Sequence, residues 1–412
     1  MRWNRTWRSL LLLLALASGA AQAQIKIGYI DPLSGLMAAT GDHGLRELQF
    51  NAERINARGG ILGQKIEVVA MDNKLSAPES LALLQRAVDE GIRYILQGNG
   101  SSVAAALIDG LNKHNARNPD KSVLFLNYAA VDPDFTNSKC SFWHFRFDAN
   151  SDMKLQAIVN SMVPNKKIKK VYIIGQDYSF GHQVTKTAKA LLNQKRPDVE
   201  IVGDELHPLA KVKDFSPYVA KIQSSGADTV ITGNWGSDLA LLIRAAKDAG
   251  LKADFYTFYA GVVGSPTAIG EAGLDRVKVV SYYEPNDAPP KTVKYLEEFK
   301  KKYGATEDPY TTSIPTALAL LEKGMTESKS TDPAKVAKAM EGVKMPGFFG
   351  EVEMRADDHQ LIQPMYVMTF ARVDGKKVKF NADGTKEFGF RQDVKLDGPA
   401  TALPTICKME RP

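Results

Sequence analysis

The chain reads as an α/β protein of two lobes, each a parallel sheet with helices on both faces. Three observations point there. Strand and helix patterns alternate from residue 24 onward, and the same alternation starts afresh after residue 147. The length of 412 residues also exceeds one ordinary domain, at roughly 150 residues per domain. With 44% apolar and 24% charged residues the composition is that of a globular chain with a sizeable core.

In the first half, residues 25–30, 66–70, 92–97 and 123–127 have the short apolar runs of buried strands. Between them, residues 44–56 place Leu45, Leu48, Ala52 and Ile55 on one helical face. A second helix is predicted over 78–90, with Pro78 at its start and Gly91 at its stop. A third is predicted over 102–114. In the second half, strands at 171–175, 200–203, 228–232, 254–258 and 277–281 alternate with helices near 180–193, 215–224 and 237–249. Residues 284–290 form a proline-rich crossover that no helix interior accepts. Helices are expected again at 292–303, 313–323 and 332–340, and late strands at 350–355, 364–372 and 377–381.

The stretch with most chemistry is 92–107, a strand, a loop containing Gly98 and Gly100, and a helix opening at Ser101 and Ser102. Glycines let the backbone turn tightly and approach a ligand. Serines at a helix start either cap it or, with the exposed N–H groups, cradle an anion such as a carboxylate.

Arg2, Arg5 and Arg8, the apolar run 10–17 and the small residues ending at Ala23 have the form of a secretory signal cleaved before Gln24. The run is shorter than the ~20 residues of a spanning helix, and no later stretch is longer, so no membrane insertion of the mature chain is expected. The residue immediately after the cleavage point is Gln24 and not a cysteine, which argues against a lipid anchor. The formal charge of +6 falls to +3 without residues 1–23, which hold three arginines and no acid. The lysine runs at 166–170 and 300–302 read as solvated helix ends and loops, so no nucleic-acid partner is implied. Cys140 and Cys407 are the only cysteines, and export makes a bridge between them a candidate beside two unpaired thiols. The six histidines never fall at i, i+4 spacing, so no metal or other cofactor is expected.

Several segments together resemble one family, the periplasmic solute-binding proteins of the branched-chain amino acid (leucine-binding protein) type, which feed ABC importers. They are IKIGYIDPLSG at 25–35, TGD at 40–42, INARGGILG at 55–63, GNGSS at 98–102, NYAAVDP at 127–133, DYSFG at 177–181 and KDF at 213–215. The likeness implies two Rossmann-like lobes, the type I periplasmic binding protein fold, joined by three crossovers around a ligand cleft. Matching it places the first lobe at 24–146 plus 284–361 and the second at 147–283 plus 362–412. It also implies periplasmic location, membrane permease subunits as partners, a monomer, and capture of a small solute rather than catalysis.

By the same resemblance, Ser101, Ser102 and the backbone of Ala129 and Ala130 receive the ligand's carboxylate, with Thr40 and Tyr128 at the same mouth. Tyr178, Phe180, Trp235 and Tyr259, each after a strand, supply aromatic walls from the second lobe. Leucine-binding relatives carry an acid for the ligand's ammonium where this chain has Tyr259, Ala260 and Gly261. Either Asp132, Asp177 or Asp238 replaces it, or the ligand is an aromatic or other non-amino carboxylate or an amide. An enzyme is disfavoured because GNGSS is not G-x-S-x-G and the Gly-x-Gly lacks its third glycine. A ligand sensor on the same fold stays open.

Overall fold

The computed structural model describes residues 24–262, 264–309 and 312–412, so the expected signal at 1–23 lies outside the described residues. The first sheet holds β1 (Ile25–Asp31), β2 (Ile66–Asp72), β3 (Tyr94–Gln97), β4 (Leu124–Asn127) and β5 (His144–Arg146) in the order β2-β1-β3-β4-β5. Every pairing is parallel, so the crossovers must carry helices. These are α1 (Ala38–Ala57), α2 (Ala77–Asp89) and α3 (Ser101–Arg117). One apolar cluster, including Ile30, Ile95, Leu107 and Phe125, fills one face of the sheet; another, including Tyr29, Leu48 and Leu126, fills the opposite face.

The second sheet begins after α4 (Ser151–Met162). It runs through β6 (Lys170–Gln176), α5 (Ser179–Lys195), β7 (Glu200–His207), α6 (Ser216–Ser224), β8 (Thr229–Thr232) and α7 (Gly236–Asp248). It continues with β9 (Asp254–Thr257), the short α8 (Ser265–Ile269) and β10 (Val277–Ser281). The chain then returns to the first sheet. Helices α9 (Pro290–Tyr303), α10 (Ser313–Ser328) and α11 (Pro333–Met340) follow, and Ile314, Leu318, Val336 and Met340 join the cluster around Tyr29 and Leu48.

A small antiparallel sheet of β11 (Lys344–Pro346), β12 (Glu351–Met354) and β13 (Leu361–Ile362) leads back to β14 (Met365–Arg372) and β15 (Phe388–Leu396). These last two add antiparallel strands to the second sheet, giving β15-β14-β10-β9-β8-β6-β7. The chain ends through α12 (Gly398–Thr401). The α/β class with parallel sheets is therefore as predicted, and no helix among the described residues is long and apolar enough to cross a membrane.

Three local expectations fail for physical reasons. Helix α1 starts at Ala38, six residues before the predicted 44, because Gly41 and Gly44 serve close packing inside it. A Cβ at Gly41 would stand 1.8 Å from the Pro32 carbonyl oxygen, and one at Gly44 would stand 2.4 Å from the Tyr29 hydroxyl. Residues 377–381 are a loop, tied by Asp374 Oδ1 accepting from the Lys376 and Val378 amides. The true strand is β15, whose exposed Gln392, Asp393 and Lys395 hide it from an apolar pattern. The tail does not stay with the second lobe, where the sequence placed 362–412. Cys407 is bonded to Cys140, with Cα atoms 5.7 Å apart. Thr405 Oγ1 donates to the Thr136 carbonyl at 2.7 Å, and Arg355 donates to the Leu403 carbonyl at 2.7 Å.

The crossovers between the sheets are braced from within. Arg146, fully buried at the end of β5, donates to Gln360 Oε1 at 2.8 Å, to the Asp132 carbonyl and to Thr136 Oγ1. Gln360 in turn donates to the Asp148 carbonyl at 2.8 Å, and Gln363 to the Phe147 carbonyl at 2.8 Å. Burial lowers the Arg146 pKa to about 10, still high enough to keep it charged at neutral pH.

Candidate functional site

One cavity, with about 250 Å³ of atom-free space that includes open solvent, lies between loops at the carboxyl ends of strands from both sheets. From the first sheet come residues 98–101 after β3 and 129–131 after β4. From the second come Tyr178 and Phe180 after β6, Trp235 after β8 and Tyr259 after β9.

The β3 side is shaped by glycine. Gly98 packs so tightly that a Cβ would stand 2.8 Å from the Ala129 nitrogen and the Tyr128 ring, and Gly100 has φ +92°. Helix α3 then begins with Gly100 at its cap position and no side chain bonded to its first amides. The N–H groups of an uncapped first turn seek an acceptor, and the helix dipole favours a negative one. Ser101, 2% exposed, lines the cavity at the same point.

Two aromatic residues repeat this arrangement from the opposite side. Tyr178 stands at the cap position of α5 and Trp235 at that of α7, and neither helix has a side-chain cap. Three helix amino ends therefore converge on one cavity. The rings hold one another in place. Trp235 Nε1 donates to the Tyr178 hydroxyl at 2.9 Å, and Phe180 packs 5.7 Å from Tyr178 and 5.9 Å from Phe258 by ring centroids. Burial pushes the Tyr178 hydroxyl pKa well up, so it stays protonated.

Beneath the β3 loop lies Asp31, a residue that the sequence reading did not single out. It is fully buried at the end of β1 and accepts hydrogen bonds from the Asn99 amide at 2.9 Å, the Gly98 amide at 3.2 Å and the Tyr128 hydroxyl at 2.7 Å. Burial dominates these bonds and raises its pKa to about 7. The carboxyl group thus fixes the loop that presents Ser101.

Of the ten expected site residues, Ser101, Ala129, Ala130, Tyr178, Phe180, Trp235 and Tyr259 line the cavity and three do not. Ser102 is exposed, because α3 starts one residue earlier than predicted and turns it outward. Tyr128 lies under the floor with its hydroxyl spent on Asp31. Thr40 is buried within α1 and faces Gly236, where a Cβ would stand 3.3 Å from its Oγ1 and 2.5 Å from Met37 Sδ. It belongs to the contact between the two sheets' loops. The expected backbone donors are also committed, since the Ala129 and Ala130 amides both donate to Asn127 Oδ1, at 3.2 and 2.8 Å.

None of the three candidate acids reaches the cavity lining. Asp132 caps the turn at Pro133–Thr136, Asp177 pairs with His182 at 2.9 Å, and Asp238 accepts from Gln176 at 2.8 Å and the Ala210 amide at 3.0 Å. Elsewhere His43, Glu307 and Asp383 offer ligand atoms within 4.8 Å of one another, but His43 already bonds the Asp308 carbonyl and Glu307 pairs with Arg46.

A two-sheet α/β chain with one cavity between the strand ends of both sheets has the architecture of a solute-binding protein that closes on its ligand. The periplasmic binding protein family model matches residues 24–377. The Leu/Ile/Val-binding protein homolog 4 of Brucella abortus (strain 2308) is 34% identical over 411 residues, covering 97% of this chain and 96% of the relative. The closed leucine-, isoleucine-, valine-, threonine- and alanine-binding protein from Brucella ovis superposes with a TM-score of 0.82 at 34% identity, covering 95% of this chain and all of that one. A solute-binding protein from R. palustris in complex with benzoate shares the fold at 21% identity, with a TM-score of 0.77, covering 94% of this chain and 100% of that one. The chain belongs to the periplasmic binding protein family, beside the leucine/isoleucine/valine-binding type that its sequence resembles.

Proposed function

We propose that this protein captures a small carboxylate-bearing solute in the periplasm and delivers it to the permease subunits of an ABC importer. The carrying observation is the convergence of three helix amino ends without side-chain caps, and of Ser101, on one aromatic-walled cavity. A carboxylate there accepts charge-assisted hydrogen bonds worth about 1.5–3 kcal/mol each. Two or three supply a large part of the ~8 kcal/mol of micromolar binding. The rings bury the rest of the solute.

In this reading the lobes comprise 24–146 with 284–361 and 147–283 with 362–396, and residues 1–23 are removed on export. Ligand contacts to both lobes favour the closed arrangement by their differential binding. A thermal-shift screen tests the proposal directly, because a ligand bound to the native form raises its melting temperature. Small carboxylates, screened with and without an amine because the relatives are named both for amino acids and for benzoate, are expected to include at least one that stabilises it. Uniform failure of carboxylates, with stabilisation by sugars or cations instead, would contradict the reading.

A further inference from the structure

The cavity wall at Tyr259 has a buried charge behind it. Lys154, on α4, is 2% exposed, and its Nζ lies over the Tyr259 ring at 4.6 Å from the centroid. Phe258 and Tyr282 complete the surround at 5.9 and 5.8 Å. Lys154 donates to Asp148 Oδ2 at 2.8 Å, while the other Asp148 oxygen accepts no hydrogen bond among the described residues. Burial lowers the Lys154 pKa and Asp148 opposes that shift, as expected of a pair held in low dielectric.

A buried ion pair contributes little net stability compared with apolar packing. Its position has a different consequence. The described lining residues carry no acidic side chain, while three helix amino ends reach the cavity and an ammonium stands behind Tyr259; the acids outside the lining, Asp31 under the β3 loop, Asp238 in the first turn of α7 and Asp148 on Lys154, are each already held by hydrogen bonds of their own. An ammonium on the solute would be stripped of water with no anion to meet it.

We infer that Lys154, acting through Tyr259, makes the cavity select solutes that carry a carboxylate and no ammonium group. This rests on the carboxylate reading above and narrows it. A solute atom packed on Tyr259 lies on the order of 8 Å from Nζ by adding an ordinary contact distance. At an effective dielectric of about 20, one charge at that range changes a binding constant roughly thirtyfold, and roughly threefold if Asp148 offsets it from one hydrogen-bond length further.

The test is calorimetry with leucine, 4-methylpentanoate (the same skeleton without the amine) and benzoate, on the mature protein and on Lys154→Met. The double variant Lys154→Met/Asp148→Asn, which leaves no unpaired carboxylate, and circular dichroism check the fold. The expected result is that the parent protein binds at least one amine-free acid tenfold or more tightly than leucine. Both variants should narrow that ratio by threefold or more. Leucine binding as tightly as 4-methylpentanoate and benzoate overturns the inference and leaves the carboxylate reading intact. A preference that persists unchanged in both folded variants overturns the role of Lys154. Binding of none of the three acids by the parent overturns the carboxylate reading and this inference with it.

Discussion

Asp31 offers the sharpest link between the buried framework and the binding loop. In the unfolded chain it ionises near 3.8, whereas in the folded protein burial holds its pKa at about 7. Between those values the folded state keeps a proton that the unfolded state has lost. The stability this group contributes is therefore full below about pH 4 and is lost as pH rises toward 7. At 1.36 kcal/mol per pKa unit the loss amounts to about 4 kcal/mol. Asp31→Asn removes the titration. It also turns one acceptor into a donor beside the Gly98 amide and the Tyr128 hydroxyl, so at low pH the variant should be about 1–3 kcal/mol less stable than the parent. As pH rises to 8 that deficit should shrink and reverse. Urea denaturation of both proteins at half-unit steps from pH 4.5 to 8 measures the difference. Asp148 and Glu284, held up to about 6 and about 7 by burial, titrate in both proteins and cancel. Parallel stability curves for parent and variant would refute the reasoning.

Other outcomes follow from the same contacts. Ser101→Ala should weaken carboxylate binding about tenfold in calorimetry, the value of one charge-assisted bond, while Ser102→Ala should leave it unchanged because that side chain is exposed. Replacing Cys140 and Cys407 with serine opens a loop of 267 residues, for which chain entropy sets a loss of about 5.6 kcal/mol. An unshifted urea midpoint would show that the tail's hydrogen bonds hold it without the bridge.

Much of the fold was legible because helix and strand periods differ and because buried parallel strands are short apolar runs. The aromatic wall was legible too, since Tyr178, Phe180, Trp235 and Tyr259 each follow a strand by two to four residues. The failures share a cause, which is that a residue's partners lie far off in sequence. Asp31 sits inside a segment quoted for its likeness, yet its role appears only when β1 and β3 are neighbours. Lys154 falls on a helix the periodicity did not reveal, where a lysine reads as solvent-facing until Asp148 and three rings enclose it. The commitment of the Ala129 and Ala130 amides to Asn127 is a matter of side-chain direction, which no spacing rule encodes.

Within residues 24–412 the only tryptophans are Trp143 and Trp235, so Trp143→Phe leaves the cavity ring as the sole emitter. Its emission, followed while a carboxylate that raises the melting temperature is added, tests most directly whether solute enters between the two sheets. The account predicts a saturable change in intensity or wavelength that Ser101→Ala shifts to about tenfold higher concentration. A stabilising carboxylate that leaves the emission of Trp235 untouched would contradict it.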